Sequence, residues 1–406
     1  MKASTEMSSK DKKCDYILNT KRSFQPLNPF LKIFSLNCDK FQSSKYTVTS
    51  IVTFVLPALI IGCINIFTLY YKIMQSYKYT VVSIKYTDAI QVIFDHFQYI
   101  IDLFVVYKYR KYIQEYYNLY EKVDEVLGIK YCAVLQKKLQ TLVIFFGLLW
   151  TISCACDYWA WAYTIGWENA SIFSISYIYV LLKILTSVDM TSHVMQTEFR
   201  LYNIAEMADS MFSTRKTLKI SSNEDKSMVS VVKLISVESV TGNNLNEIKW
   251  LGKCYLWVIE QTGYINQVFG TRVLLNSLSI LIDMVRFTNI SIRLLLGSQH
   301  LYRHWNIFPV ISTVIRLLTC VAMLVSLAHH CEMAYKQRDR IINIIDHIVV
   351  IKEPNVCLAL KELRQLVQSR SVDFRMSNLT RLDYSLLGSL ASIVVTYTII
   401  LLQSVN

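Results

Sequence analysis

Seven stretches of the chain are apolar over lengths close to what a bilayer needs, and charged or mixed segments separate them. They lie at 47–71, 86–107, 139–165, 171–198, 264–296, 305–331 and 384–403. A helix crossing about 30 Å of hydrocarbon at about 1.5 Å per residue takes roughly 20 residues, so the pattern predicts an all-α membrane protein with seven transmembrane helices. Polar positions inside the last stretch form one line. Ser385, Ser389, Ser392, Thr396 and Gln403 recur at helical steps, while Leu386, Leu387, Leu390, Ile393, Val394 and Leu401 cover the rest. Such an edge faces protein or water, and several copies of the helix around one axis would line a pore with it. Small-residue packing between helices is the alternative reading of the same spacing.

The second stretch is richer in charge. Asp88, Gln91, Asp95, Gln98 and Asp102 recur at three and four and share one helical face. A carboxylate at the bilayer centre costs about 2.5 to 3.5 kcal/mol on insertion scales, so the stripe requires water, a partner charge or a ligand. Lys183, Arg272, Arg286 and Arg316 are the candidate partners for an internal ion-pair network. The fifth stretch has its own polar face, Arg272, Asn276, Ser279, Asp283 and Arg286, in which Asp283 and Arg286 are spaced to pair locally. Aromatic residues crowd one end of the third and fourth stretches: Tyr158, Trp159, Trp161, Tyr163 and Trp167, then Phe173, Tyr177 and Tyr179. An interfacial belt explains part of this; a ligand cavity, where rings supply apolar area and a polar tip, explains the remainder. The candidate ligand-binding set is therefore Asp88, Gln91, Asp95, Tyr158, Trp159, Trp161, Tyr163, Tyr177, Asp283, Arg286, Phe308 and Ser312.

Composition agrees with a membrane chain: 406 residues, 53% hydrophobic, 18% charged, with mean hydropathy +0.32. Charge placement gives an orientation. The first 46 residues carry nine Lys or Arg and no apolar run suited to a cleaved signal peptide. Alternate loops, between the second and third stretches and before the seventh, are also basic, so the N-terminus is expected inside and the C-terminus outside. The net charge of +12 then reflects cytoplasmic retention and not nucleic-acid binding. The expected organisation is a cytoplasmic tail at 1–46, a six-helix ligand-binding region at 47–331 with a flexible cytoplasmic linker near 213–247, a cytoplasmic helical assembly region at 332–383, and a pore-lining helix at 384–406. Apolar periodicity runs past bilayer length in the fourth and fifth stretches, where 171–209 as one helix would reach about 58 Å. The inner ends should bundle in the cytoplasm as an assembly domain.

Asn169-Ala170-Ser171 is a glycosylation sequon in an expected outer loop, making Asn169 a candidate glycan site. The ten cysteines suggest buried apolar thiols instead of a metal site or disulfide framework. No phosphate-cradling loop, nucleophile elbow or zinc-protease motif occurs, so an enzyme is not expected, nor is a cofactor.

Thr396-Tyr397, five mostly apolar positions and Gln403 resemble the C-terminal signature of insect gustatory receptors, which reads Thr-Tyr, five hydrophobic residues, Gln-Phe. Ser404 stands where that family has Phe, and Thr398 where its sugar-sensing branch commonly has Glu. The resemblance implies a tastant-gated non-selective cation channel passing monovalent and divalent cations. It further implies a homotetramer or heteromer with related receptors in the plasma membrane of a sensory neuron dendrite. It also assigns Gln403 and Ser404 to the outer gate, with Ser392 and Thr396 in the pore and hydrophobic sealing on Ile399 or Ile400. A plant secondary compound is the expected ligand class, a sugar the second. An odorant receptor of the same superfamily is the nearest rival reading. A G-protein-coupled receptor, with the opposite orientation, and a transporter are the readings from other classes.

Overall fold

The computed structural model describes residues 24–36, 48–74, 82–109, 112–128, 133–212, 244–295, 308–349, 354–377 and 379–403. In chain order the helices are α1 (Asn28–Ile33), α2 (Val48–Met74), α3 (Val82–Tyr109), α4 (Ile113–Leu127), α5 (Ala133–Ile165) and α6 (Trp167–Ser174), followed by α7 (Tyr177–Phe212), α8 (Asn244–Leu295), α9 (Phe308–Val349), α10 (Pro354–Ser369) and α11 (Tyr384–Gln403). A two-residue hairpin, β1 (Arg375–Met376) and β2 (Thr380–Arg381), precedes α11. Among the described residues, seven helical segments are long and apolar enough to cross a membrane, in agreement with the hydropathy pattern. The protein is an all-α, multi-pass membrane protein.

Proline usage explains part of the element lengths. Pro29, Pro309 and Pro354 sit in the first turn of α1, α9 and α10, where the missing N–H costs nothing. None interrupts α8, which runs unbroken for 52 residues, about 78 Å at 1.5 Å per residue. α9 has 42 residues and α7 has 36, so all three outrun a bilayer. The expected single helix over 171–209 is broken. Ser171, Ser174 and Ser176 each donate their hydroxyl to a carbonyl three or four residues back, at 2.7–2.8 Å. This competes with the helical ladder, and the chain turns at Ile175 and Ser176 before α7 begins. Gly166, at φ 89°, makes the preceding corner between α5 and α6.

We call the end of the bundle that holds the α11 C-terminus the upper end. At the lower end, α10 and the hairpin fold against the extended parts of α8 and α9. Tyr255 Oη donates to the Arg370 carbonyl at 2.6 Å, and Asn266 Nδ2 donates to the Asp373 carbonyl at 2.7 Å while its Oδ1 accepts from Arg375 N at 3.0 Å. Gly270 permits this approach, because a Cβ there would stand 2.9 Å from Ser377 N. The segment 24–36 is seated: Phe24, Leu27, Leu31 and Leu36 are buried. Asn244 to Glu247, placed by composition in the 213–247 linker, already belongs to α8; residues 213–243 lie outside the described residues.

Candidate functional site

The polar face of α8 is the spine of the interior. Arg272, Asn276, Ser279, Asp283, Asn289 and Arg293 are all buried, and Arg286 is nearly so at 17% side-chain exposure. Facing it, α3 buries its entire stripe, Asp88, Gln91, Asp95, Gln98 and Asp102. All four cations named from the sequence meet carboxylates. Lys183 of α7 reaches Asp95 at 2.8 Å and also Asp283. Arg286 lies 2.6 Å from Asp88, which Lys72 of α2 approaches from the other side at 2.9 Å. Arg272 bridges Asp102 at 3.5 Å and Asp189 at 3.3 Å. Neutral groups complete the lattice: Ser279 Oγ donates to Asp95 at 2.6 Å, Gln91 Nε2 to Asp95 at 2.6 Å, Gln98 Nε2 to Asn276 Oδ1 at 3.0 Å, and Thr186 Oγ1 to Asp102 at 3.0 Å. The charges are affordable in an apolar interior because each has a partner.

The second cluster belongs to the upper end and centres on Asp157 of α5, a residue the sequence reading did not single out. Its Oδ1 accepts from Ser312 Oγ at 2.8 Å and from Trp161 Nε1 at 3.1 Å; its Oδ2 accepts from Tyr177 Oη at 2.7 Å. Arg316 stands 3.4 Å from Oδ2, with its guanidinium 4.6 Å from the Tyr177 ring centroid and 5.5 Å from that of Phe287. Trp161 stacks on Phe173 with centroids 6.5 Å apart, and Tyr158 Oη bonds Ser171 Oγ at 3.1 Å.

Of the twelve candidate ligand residues, Asp88, Gln91, Asp95, Asp283 and Arg286 therefore fall in the ion-pair lattice, and Trp161, Tyr177 and Ser312 fall around Asp157. Tyr158 is half-buried beside them. Trp159, Tyr163 and Phe308 are not brought in: they are 72%, 73% and 56% exposed on the outer face of the single chain, as an interfacial belt would be. Asn169 lies on α6, where its Oδ1 accepts from Tyr71 Oη at 3.0 Å. A signal for Asp157 did exist in the sequence, since it is a carboxylate within an otherwise apolar span.

A third cluster lies lower. Tyr116 Oη pairs with His193 Nδ1 at 2.7 Å and with Tyr120 Oη, while the Phe24 ring packs tilted against His193 with centroids 4.8 Å apart. Phe24, Tyr116 and His193, together with Tyr117, Tyr264 and Phe269, line a small cleft under the seated segment 24–36.

On α11, Val394 and Thr398 face the fold, and Leu386, Leu387, Leu390 and Leu401 are half-buried. The opposite side is bare. Ser385, Ser389, Ser392, Thr396 and Gln403 are all exposed, and so are Ile399 at 48% and Ile400 at 51%. Ser404 lies outside the described residues. Arg293, near the end of α8, closes the helix from within: Nη2 donates to the Leu401 carbonyl at 2.9 Å while Nε donates to Asn289 Oδ1 at 3.0 Å. A cation on the last carbonyls of a helix also complements its dipole. Asp383 caps the other end, accepting from the backbone N–H of Ser385 and Leu386 at 3.0 and 3.2 Å.

Comparison with known proteins fits this architecture. No curated protein matches the sequence. Two solved structures of the olfactory receptor OR5 from Machilis hrabei share the fold. The form in complex with eugenol aligns with a TM-score of 0.58 at 11% identity, over 96% of this chain and all of that one. The other gives 0.56 at 10% identity over 90% and 93%. The sequence profile described as 7tm Chemosensory receptor matches residues 26–405, and on that extent the chain belongs to the 7tm chemosensory receptor family.

Proposed function

We propose that this chain is a gustatory receptor, a tastant-gated non-selective cation channel answering to a plant secondary compound. The exposed polar stripe of α11 supports this reading. A membrane helix that turns Ser385, Ser389, Ser392, Thr396 and Gln403 away from its own fold leaves them for water or for other copies. Copies of the chain, alone or with related receptors, place that stripe around a shared axis. The ring of Ile399 or Ile400 then closes the path by dewetting, and ligand binding widens it. The string from Thr396 to Gln403 aligns the same helix with the gustatory signature. The ligand enters at the upper end; the basic N-terminal segment, which favours the cytoplasm, supports the outward placement of that end.

An odorant receptor is the second reading, favoured by the likeness of fold to a receptor solved with eugenol. Calcium imaging of cells expressing the protein, over a panel of plant bitter compounds, sugars and volatile aromatics, separates the two. Thr396→Cys tests the channel itself. A small thiol reagent should block current chiefly while ligand is present, and equal, ligand-independent insensitivity would show that α11 does not line the path.

A further inference from the structure

We propose that Arg316 is a ligand-recognition residue and that it selects neutral molecules carrying a hydrogen-bond acceptor, such as esters, lactones or glycosides, over ammonium or carboxylate compounds. The proposal rests on the receptor reading above and names the chemistry of its ligand. Arg316 is 93% buried by its 7% exposure, yet its Nε and Nη2 make no hydrogen bond among the described residues. Asp157, its only close carboxylate among them, is already committed: both oxygens accept from neutral donors, Ser312 and Trp161 on one, Tyr177 on the other. The guanidinium approaches it at 3.4 Å without forming the bidentate pair its geometry allows. Unmet donors on a buried cation are costly, so an incoming acceptor gains what the protein leaves open.

The surroundings supply the rest of the selectivity. Tyr177 and Phe287 flank the guanidinium with ring faces, and the half-buried pair Trp161 and Phe173 covers the Asp157 side, so the acceptor must ride on an apolar or aryl body. Charge decides the ligand's own state. The ion-paired set of the upper half holds Lys72, Lys183, Arg286 and Arg316 against Asp88, Asp95, Asp157 and Asp283, four against four. Arg293, buried at the same end, is held by the oxygens of Asn289 and Leu401. A charged ligand would add a charge that this set does not already match, whereas a neutral acceptor leaves it as it stands.

The test uses matched ester, acid and amine on two scaffolds: methyl 3-phenylpropanoate, 3-phenylpropanoate and 3-phenylpropylamine, and geranyl acetate, geranate and geranylamine. Binding is read as the thermal shift of the purified full-length receptor, which needs no channel activity, and response as calcium influx. An ester should shift the melt more than its acid and amine partners. Arg316→Met should weaken that binding about tenfold or more, as loss of a charged donor does, and Arg316→Lys should weaken it less. Because Arg316→Met strands Asp157, the double variant Arg316→Met with Asp157→Asn serves as the second probe. It should melt close to the parent without ligand and still lose the ester shift. A preference for acid or amine, no shift from either ester, or an unchanged ester shift in the double variant overturns the proposal. A shift without calcium influx in any arm would uphold it and instead remove the channel reading.

Discussion

α8 and α11 each carry a polar stripe at the same helical spacing, and the fold treats them in opposite ways. The α8 stripe turns inward, where Asp283 meets Lys183, Arg272 meets Asp102 and Asp189, and Ser279 meets Asp95. The α11 stripe turns outward, and among the described residues Ser389, Ser392 and Thr396 meet no side chain of another element. The difference follows from the residue types. α8 presents full charges, which in a membrane need opposite charges within a few ångströms. α11 presents hydroxyls that can satisfy themselves: Ser389 Oγ donates to the Ser385 carbonyl at 3.2 Å and Thr396 Oγ1 to that of Ser392 at 2.9 Å. Charged stripes hold a chain together. Hydroxyl stripes are cheap enough to leave for another role.

The sharpest way to break this contrast is at Lys183, which serves two carboxylates at once. Lys183→Met leaves Asp95 buried without its cation and Asp283 with only Arg286 at 4.0 Å, and breaking a buried pair costs about 3 to 5 kcal/mol. The expected result is little folded receptor at the cell surface and a sharply lower melting temperature by fluorescence-detected size exclusion. Replacing Lys183, Asp95 and Asp283 together by Met, Leu and Leu should recover much of the loss. A single variant that melts like the parent would mean the lattice is hydrated and not structural.

Arg293 is where the two helices meet. Arg293→Ala removes a charged donor from the Leu401 carbonyl, worth about 1.5 to 3 kcal/mol, and frees the upper end of α11. Ligand-independent current should rise, and Arg293→Lys should restore part of the closed state. Normal closure in Arg293→Ala would show that α11 is held by its leucine face alone.

Spacing made both stripes legible in the sequence, and the seven spans with them. It named four cations that find carboxylates, because a charge inside a membrane announces its need for a partner, but not Lys72 of α2, which meets Asp88. Spacing could not say which way each stripe faces, since rotation about a helix axis is set by tertiary contact. It also missed Asp157, a single carboxylate with no periodic companions, whose site assembles from α5, α7 and α9 across 155 residues of sequence. The seating of 24–36 within the 1–46 tail was not legible, because four separated apolar residues form no span. Trp159 and Tyr163 were grouped with Trp161 by proximity in sequence, yet helical rotation sends them outward.

A smaller effect is expected at the α11 N-terminus. The Ser385 hydroxyl above all, helped by the backbone N–H groups of Leu386 and Ser385 and by Arg381, holds the Asp383 carboxyl below its ordinary value of 3.8 against the desolvation that pushes it up. A depressed folded value means this stabilisation is complete above 3.8 and fades as pH falls below it. Asp383→Ala should cost about 0.5 to 2 kcal/mol, toward the low end because the group is partly exposed and screened. Asp383→Asn keeps the cap and should remove only the acid-side loss, read from melting temperatures at neutral and acidic pH.

The least disturbance to the fold should come from the stripe itself, where the contrast between the helices is most exposed to refutation. Ser389 and Ser392 have no side-chain partner from another element among the described residues, so Ser389→Ala with Ser392→Ala should shift the melt by less than about 0.5 kcal/mol, as surface substitutions do. Function should respond far more. If copies of α11 face a shared aqueous axis, replacing two hydroxyl rings by methyl groups lengthens the apolar stretch below Ile399 and raises the dewetting barrier, so ligand-evoked current should fall while surface expression and melting hold. If the stripe instead packs against a neighbouring helix, Ala substitutes well for Ser in close packing, and current should be unchanged. Unchanged current together with an unchanged melt would therefore take the pore away from this face of α11.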